Sequence, residues 1–339
     1  MITDLTGTST WQDAAWRTAA LDWAAAELAR AGCRLDGEPE QVHVRIWSTA
    51  FRLPLRGGGV AWLKSVGAGS AQEPPLAEAL GRWVPEHVLV PLAAHRERRL
   101  LLLPDGGPTL RDRGADDPSA WAAMLADYAR LQIALAPHAV EMVALGVPDH
   151  RPELLPHLVE GLLADDEAQL VGRPGGLTDE ARGRLAGTRA EYVEACRGLA
   201  QGPIPATLQH DDLHDANVFA GGGRHRFFDW GDASVAHPFV SLLVALRMAG
   251  RMLAVGNGDP VLHRLRDAYL EVWEDFGDSR ILRDQCALAL RVAPLARALT
   301  WRRILRGVIP EERAEWADSV PGWTAEQLSP GPLAVAPAA

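Results

Sequence analysis

The chain has 339 residues, of which 47% are apolar and 23% are charged, a composition that predicts a globular protein of two lobes and excludes the disordered class. Its formal net charge of -10 argues against general nucleic-acid binding, which needs a basic surface, and permits a cationic small substrate. The sequence shows neither a signal peptide nor an apolar run of about twenty residues, so we expect a cytoplasmic protein without a membrane segment.

The first part of the chain predicts a helix followed by an antiparallel sheet. Residues 11–31 carry apolar side chains at every fourth position, which is typical of an amphipathic helix. Three β-prone runs follow, with a glycine turn before the third, and predict a meander. The predicted strands are residues 42–47, 50–55 and 60–66. Alternation within the third strand places Val60, Trp62 and Lys64 on one face.

Lys64 is the only lysine among the 34 lysine and arginine residues. A chain that uses arginine at every other basic position, yet keeps one lysine, indicates a site where a planar guanidinium cannot replace a compact ammonium. We therefore predict a functional role for Lys64.

The sheet is predicted to continue beyond a short helix. Pro74 and Pro75 favour the first turn of a helix that extends to about Val84. Two short apolar runs, residues 88–91 and 99–103, are predicted to complete the sheet. The proline and glycine residues that follow mark a linker, and we place the domain boundary near residue 105.

Beyond the linker the pattern is helical. The predicted helices run from Pro118 to just before Pro137, and then over residues 178–200, 239–254, 260–276, 279–306 and 310–318. Residues 329–339 are predicted to form a disordered tail. The three cysteines are widely spaced and predict reduced thiols: Cys33, Cys196 and Cys286.

The stretch from residue 207 to residue 232 holds most of the predicted chemistry. It contains His-x-Asp-x-x-x-x-Asn at His210, Asp212 and Asn217, and Asp229 follows twelve residues after the asparagine. Short β-prone runs predict a hairpin that presents these polar residues at strand ends. The spacing is the layout of a phosphoryl-transfer catalytic loop. Asp212 would orient an attacking hydroxyl and accept its proton, while Asn217 and Asp229 would hold Mg²⁺ against nucleotide phosphates.

Four other interpretations of the same stretch stay open. His210 and His214 are four residues apart and would ligate zinc if both lay on one helix, although aspartate and asparagine are poor helix formers. The His210–Asp211 pair is also typical of metal-dependent phosphohydrolases, which need further ligands on long helices. The stretch would also be compatible with a solvated acidic loop that has no function. Finally, the loop would be retained in an inactive nucleotide-binding relative that serves as a regulatory module.

The stretch resembles the aminoglycoside phosphotransferase family, relatives of the protein kinases. The family's loop reads His-Gly-Asp-Leu-His-x-x-Asn, and its metal-binding strand ends in Asp-Trp or Asp-Phe. The specific motifs occupy about residues 60–80 and 207–241, although the order of parts matches along nearly the whole chain. Three positions depart from the pattern: Asp211 replaces the usual glycine, Asp215 stands where proline is frequent, and Ser241 stands where many members have an aspartate that braces the loop.

The resemblance implies an α+β protein-kinase-like fold of two lobes. A small lobe with an antiparallel sheet would span residues 1–105, and a larger, mostly helical lobe would span residues 106–328, with nucleotide and Mg²⁺ bound between them. In such folds the third strand carries the lysine that pairs with the nucleotide phosphates, here Lys64. A glutamate of the next helix clamps that lysine, and Glu73 fits the family's segment better than Glu78.

Further nucleotide contacts are implied in the same way. The loop between the first two strands, with Ser48 and Thr49, would lie over the nucleotide. That loop lacks the Gly-x-Gly-x-x-Gly of eukaryotic protein kinases. The backbone from Leu103 to Asp105 would bond the base.

We therefore predict a Mg²⁺-dependent transfer of the γ-phosphoryl group of ATP or GTP to a hydroxyl of a small molecule. The candidate acceptors are an aminoglycoside or another antibiotic, a choline-like or homoserine-like metabolite, and a biosynthetic intermediate. An antibiotic acceptor would imply a role in antibiotic resistance. Nucleic acids and membranes are not predicted as partners.

Overall fold

The computed structural model describes residues 5–221 and 223–334, which divide into two units by their contacts. The first unit runs up to Gly107 and also includes Phe228–Gly231 and Arg303–Trp316. The second unit consists of Pro108–Phe227, Asp232–Arg302 and the residues from Ala317 onward. The sequence assigned both of the later segments of the first unit to the second lobe, because contacts between residues so far apart in the chain leave no local signal.

Three helices and an antiparallel sheet form most of the first unit. Its elements are α1 (Thr8–Gln12), α2 (Ala14–Arg30), β1 (Glu40–Arg45), β2 (Ser48–Pro54), β3 (Val60–Val66), α3 (Glu73–Trp83), β4 (Ala93–His95) and β5 (Leu100–Pro104). Within the described residues the strand order is β1-β2-β3-β5-β4. The single predicted helix is divided in two at Asp13, whose carboxylate caps α2 by accepting a hydrogen bond from the Trp16 N–H at 2.7 Å.

The core of the first unit fixes the register of the sheet. In β2 and β3, Phe51 pairs with Leu63 and Leu53 pairs with Ala61, and all four side chains are fully buried. The buried positions of α2 are four residues apart and belong to the same cluster: Ala20, Ala24 and Leu28. Because one face of β3 enters this core, the alternate residues, including Lys64, lie on its other face, as predicted.

Two strand boundaries differ from the prediction. β1 ends at Arg45 and β2 begins at Ser48, so Ser48 and Thr49 lie in a strand and not in the predicted loop. Thr49 is β-branched and closes the strand pair, because its Oγ1 donates to the His43 carbonyl at 2.8 Å. The fourth strand is Ala93–His95 and not residues 88–91, since Pro91 has no N–H to donate to a neighbouring strand.

Hydrogen bonds across long stretches of chain hold the later segments of the first unit. Thr6 and Val308 form a parallel bridge, and the Ile309 N–H donates to the Thr6 carbonyl at 2.9 Å. The rings of Trp47 and Trp316 meet edge to face, with centroids 4.8 Å apart. These contacts explain why Arg303–Trp316 belongs to the first unit.

The second unit is mostly helical. Its elements are α4 (Pro118–Leu135), α5 (Ala139–Ala144), β6 (Asp149–His150), α6 (Leu155–Leu163), α7 (Asp179–Ala200), β7 (Thr207–Gln209), β8 (Val218–Gly221), β9 (Arg224–Phe227), β10 (Ser234–Ala236), α8 (Leu242–Met252), α9 (Pro260–Glu271), α10 (Ser279–Arg306) and α11 (Ser319–Glu326). The last turn of α10, from Arg303, is assigned to the first unit. None of the helices in the part of the chain that the structure describes is long and apolar enough to span a membrane.

The predicted catalytic hairpin consists of two separate pairings. β8 and β9 form an antiparallel hairpin in which Val218 pairs with Phe227, whereas β7 pairs with β10 in a small sheet that also contains β6. Gly222 of the predicted glycine turn lies outside the described residues. The predicted catalytic loop, residues 210–217, therefore begins at the end of one sheet and ends at the start of another pair of strands.

The end of the chain also differs in detail from the prediction. Two 3-10 turns, Pro310–Glu312 and Ala314–Trp316, precede α11 in place of a helix over residues 310–318. In the predicted tail, the Pro332 carbonyl accepts a hydrogen bond from the Gly258 N–H at 2.9 Å. Residues 335–339 of that tail lie outside the described residues.

Candidate catalytic residues

Lys64 lies in β3 of the first unit, with its ammonium between two carboxylates. Nζ is 2.6 Å and 2.8 Å from the two oxygens of Glu73, at the start of α3, and 2.7 Å from Oδ1 of Asp229. The Lys64 side chain is 16% exposed and that of Glu73 is 2% exposed. Of the two candidate partners, the structure thus pairs Glu73 with Lys64, while Glu78 is exposed.

The charge of Lys64 is set by competing effects. Burial favours the neutral amine, but Asp229 and Glu73 outweigh it and raise the pKa of Lys64 above its ordinary value. The ammonium therefore stays charged at physiological pH, and its position is fixed from two sides. A fixed, compact cation of this kind suits the neutralisation of phosphate oxygens.

A strained turn follows the hairpin and carries Asp229. Its φ of 66° lies in the left-handed region that is unfavourable for most residues. The turn is held by α3, because the Trp230 N–H donates to Glu73 at 3.1 Å and Gln72 Nε2 donates to the Gly231 carbonyl at 2.8 Å. A Cβ at Gly231 would lie 3.2 Å from Glu73 Oε2, which favours glycine at this position. The surrounding contacts thus fix the Asp229 conformation.

The other residues predicted to contact the nucleotide differ in burial and in hydrogen bonding. Thr49 is fully buried, and its Oγ1 also accepts a hydrogen bond from Gln41 Nε2 at 2.9 Å, so its hydroxyl is already used within the strand pair. Ser48 is buried beside it in β2. Leu103 is half-buried in β5, and the exposed Asp105 accepts a hydrogen bond from Trp62 Nε1 at 3.3 Å.

In the second unit, the loop after β7 brings Asp212 and Asn217 together. Asn217 Nδ2 donates to the main-chain carbonyl of Asp212 at 3.0 Å and lies 3.5 Å from its Oδ2. His214 Nε2 is also 3.5 Å from that oxygen. The spacing of five residues therefore folds the loop back so that the amide of Asn217 contacts Asp212.

Asp212 is paired with a cation that the sequence analysis did not identify. Arg297 of α10 places Nη2 at 3.1 Å from Asp212 Oδ1. Burial alone would raise the pKa of Asp212, but Arg297 and His214 outweigh it and hold that pKa well below its ordinary range. Asp212 is therefore an ionised carboxylate, as a proton acceptor must be.

The contacts of Asp211 explain how an aspartate is accommodated where the family pattern has glycine. Its φ of 66° lies in the left-handed region, where glycine is favoured because it has no Cβ. The buried carboxylate is held by Gln209, whose Nε2 donates to Oδ1 at 2.9 Å, and its Oδ2 lies 3.6 Å from Arg297. These polar contacts offset the cost of an aspartate in this conformation.

A hydroxyl network stands where the family pattern has a bracing aspartate. The Tyr128 hydroxyl accepts a hydrogen bond from the His210 N–H at 2.8 Å and lies 3.4 Å from Ser241 Oγ. Gln132 Nε2 donates to the Leu208 carbonyl at 2.8 Å. Tyr128 and Gln132 of α4 thus hold the start of the loop, the task that the family pattern gives to an aspartate at the position of Ser241.

Asp215 is fully buried and forms a two-point ion pair. Arg111 donates through Nε and Nη2 to its two carboxylate oxygens, both at 2.8 Å. The Arg111 main-chain N–H also donates to the Asp215 carbonyl at 3.1 Å. This pair anchors the middle of the catalytic loop to the segment before α4.

Arg111→Gln is expected to lower the free energy of unfolding by about 2 kcal/mol, less than for a fully buried pair because Arg111 is partly solvated. The substitution leaves a buried carboxylate without its cation. Urea unfolding midpoints measure the effect, and Arg113→Gln, at an exposed position two residues away, is the matched control. Equal midpoints for the two variants would contradict this account of Asp215.

The donor sets fit a hard divalent cation better than zinc. The Asn217 amide nitrogen is used by Asp212, which leaves Oδ1 for a ligand, and the Asp229 side chain is 47% exposed. Oxygen donors of this type suit Mg²⁺. His210 is buried and lies with His214 on a loop, not on the single helix face that a His-x-x-x-His zinc site requires. Among the described residues, no group of three or more His, Cys, Asp and Glu side chains is arranged to hold a metal ion.

Comparisons with known proteins give matches at the level of structure. No protein-family model and no curated protein matches the sequence. A macrolide 2'-phosphotransferase from Brachybacterium faecium is similar in structure, with a TM-score of 0.58 and 18% identity over 92% of this chain and 98% of its own. A choline kinase from Streptococcus pneumoniae has a TM-score of 0.58 and 11% identity, over 91% and 98%. An amicoumacin kinase, solved with AMP-PNP and Ca²⁺, has a TM-score of 0.53 and 12% identity, over 87% of each chain.

These likenesses establish the class of fold. The chain has the protein-kinase-like α+β fold that small-molecule phosphotransferases share, and the predicted fold class is confirmed. The resemblance to the aminoglycoside phosphotransferase family is confirmed at the same level, that of the fold.

Proposed function

We propose that the protein is a phosphotransferase that moves the γ-phosphoryl group of ATP or GTP to a hydroxyl of a small molecule, with Mg²⁺ as cofactor. The observation that carries this proposal is the Lys64 ion pair. The chain keeps one lysine, buries it, and clamps it between Glu73 and Asp229. A structural lysine would need neither the second carboxylate nor the strained turn that presents it.

The proposed roles follow from the chemistry of each group. Lys64 neutralises phosphate oxygens of the nucleotide, and Asp212 accepts the proton of the acceptor hydroxyl. Asn217 and Asp229 are the proposed ligands of Mg²⁺, which when bound offsets negative charge on the phosphates. The backbone from Leu103 to Asp105 remains the proposed contact for the base. Ser48 and Thr49 remain proposed to lie over the nucleotide, with the Thr49 hydroxyl itself bonded within the sheet. Catalysis would rest on positioning and charge neutralisation.

The acceptor is proposed only as a class, a small molecule with an accessible hydroxyl. Macrolide 2'-phosphotransferases, an amicoumacin kinase and choline kinases are among the proteins of similar fold. We include an antibiotic among the candidates, which would make the protein a resistance enzyme, and the net charge of -10 is compatible with a cationic acceptor. We also propose a cytoplasmic location, which the free cysteines support.

A screen for phosphorylation tests the proposal directly. The purified protein is incubated with Mg²⁺ and ATP or GTP and a panel of macrolides, aminoglycosides, choline, fructosamines and other alcohols. We expect the mass of one acceptor to increase by one phosphoryl group. An inactive relative would bind nucleotide without slow hydrolysis or transfer, and that result would exclude the proposed enzyme.

Asp229→Ala is expected to abolish the Mg²⁺ dependence of nucleotide binding, because it removes a proposed metal ligand. Nucleotide titrations with and without Mg²⁺ measure the difference between the parent and the variant. Asp36→Ala, at an exposed carboxylate of the same unit, is a control that should keep the Mg²⁺ effect. If Asp229→Ala binds Mg-ATP as tightly as the parent does, the metal site lies elsewhere.

A further inference from the structure

The side chain of Arg297 is buried among three carboxylates of the second unit. Its guanidinium lies 2.5 Å from Asp232 Oδ2, 3.1 Å from Asp212 Oδ1 and 3.6 Å from Asp211 Oδ2. Arg297 itself is 4% exposed. A buried arginine that joins both ends of the catalytic segment is therefore the principal counter-charge of this cluster.

Two tryptophans lie beside this guanidinium. Its Cζ lies 5.5 Å from the ring centroid of Trp301 and 5.9 Å from that of Trp323. Both distances are within the range of a cation–π interaction. A planar guanidinium that also reaches three carboxylates makes contacts that a compact ammonium cannot reproduce.

The contacts of Asp212 distinguish its two oxygens. Oδ1 is held by Arg297 Nη2 at 3.1 Å, whereas the contacts of Oδ2 with described residues are the longer ones, at 3.5 Å, to Asn217 and His214. One oxygen is thus anchored by a charge-assisted contact, and the other is left to receive a proton.

We propose that Arg297 is a positioning residue, which aims Oδ2 of Asp212 at the acceptor hydroxyl by holding Oδ1. This inference rests on the proposed phosphotransferase function. It assigns no contact with nucleotide or acceptor to Arg297. A displacement of the carboxylate by about 1 Å would be enough to slow transfer by on the order of a hundredfold.

Arg297→Lys tests this role, because it keeps the charge and loses the planar fork. We expect kcat to fall by on the order of a hundredfold, with the KM for nucleotide close to that of the parent. Arg291→Lys, at an exposed arginine of the same helix, is the matched control and should keep the parent kcat. Far-ultraviolet circular dichroism and the unfolding midpoint verify that each variant is folded.

Chemical rescue separates positioning from a purely structural role. In Arg297→Ala, the gap beside Trp301 and Trp323 has the shape of a guanidinium ion, so millimolar guanidinium should restore part of kcat, whereas equal concentrations of ammonium should not. If Arg297→Ala does not fold, Arg297→Ala combined with Asp211→Gly removes one of the three carboxylates and takes its place in the rescue.

The outcomes distinguish a failure of the positioning role of Arg297 from a failure of the proposed phosphotransferase function. An active parent with an unchanged kcat in folded Arg297→Lys would overturn the positioning role alone, and so would a loss of kcat that guanidinium does not restore in a folded alanine variant. A parent that transfers no phosphoryl group to any acceptor of the screen would overturn the proposed function and the role of Arg297 with it.

Discussion

Asp212→Asn is expected to lower kcat by on the order of a hundredfold or more while nucleotide affinity stays close to that of the parent. The amide nearly matches the carboxylate in size, so the loop should keep its shape, but it cannot accept the proton of the acceptor hydroxyl. Arg297 would still contact the amide oxygen at the position of Oδ1. Steady-state kinetics of transfer, together with equilibrium binding of nucleotide, measure the two quantities separately.

The matched control is Asp284→Asn, at an exposed carboxylate of the second unit. It makes the same change of charge away from the catalytic loop and should leave kcat unaltered. Turnover by Asp212→Asn at the parent rate would remove the proton-acceptor role, and with it the interpretation of the loop from residue 210 to residue 217.

Lys64→Arg is expected to lower kcat/KM by on the order of a hundredfold, as much as Lys64→Ala does. The ammonium is held within 2.8 Å of three carboxylate oxygens, two from Glu73 and one from Asp229. A longer, planar guanidinium cannot occupy that space without displacing α3 or the turn at Asp229. Nucleotide affinity and turnover of both variants, measured beside the parent, give the result.

The control reverses the substitution at an exposed position of the same unit. Arg56→Lys should be silent, because Arg56 lies in the exposed turn between β2 and β3. The alternative interpretation is that Lys64 is a surface residue without function, and that its being a lysine rather than an arginine is accidental. Parent-like kinetics for Lys64→Arg would support that alternative, although a side chain that is only 16% exposed speaks against it.

Local patterns were sufficient to predict much of the first unit. The alternation of β3 placed Lys64 opposite the core, and the proline pair predicted the start of α3. The choice of Glu73 over Glu78 came from the family resemblance. The turn between β1 and β2 was misplaced by two residues, because β-propensity alone does not decide where a tight turn begins. The family resemblance placed this turn, with Thr49, over the nucleotide, and the structure shows the Thr49 hydroxyl bonded to His43 and Gln41.

Contacts between residues far apart in the chain could not be predicted from local sequence patterns. Arg297 lies 85 residues after Asp212 in the chain, and no spacing rule connects a helix to a loop at that distance. One signal was present: Arg297 is the only charged residue between Val292 and Thr300, in a segment that is otherwise apolar apart from its terminal threonine. A lone arginine in such a run indicates a buried counter-charge, and the surplus of aspartates in the catalytic loop indicates its partners.

The ion pairs of Lys64 also determine how the protein should react with amine-directed reagents. Acylation requires an unprotonated amine, and the carboxylates of Glu73 and Asp229 keep this one protonated. Because the chain has a single ε-amine, a reagent that modifies many surface lysines in other proteins has one lysine target here. The extent of acylation of that residue, measured by mass spectrometry, therefore reports how often the clamp of Glu73 and Asp229 opens.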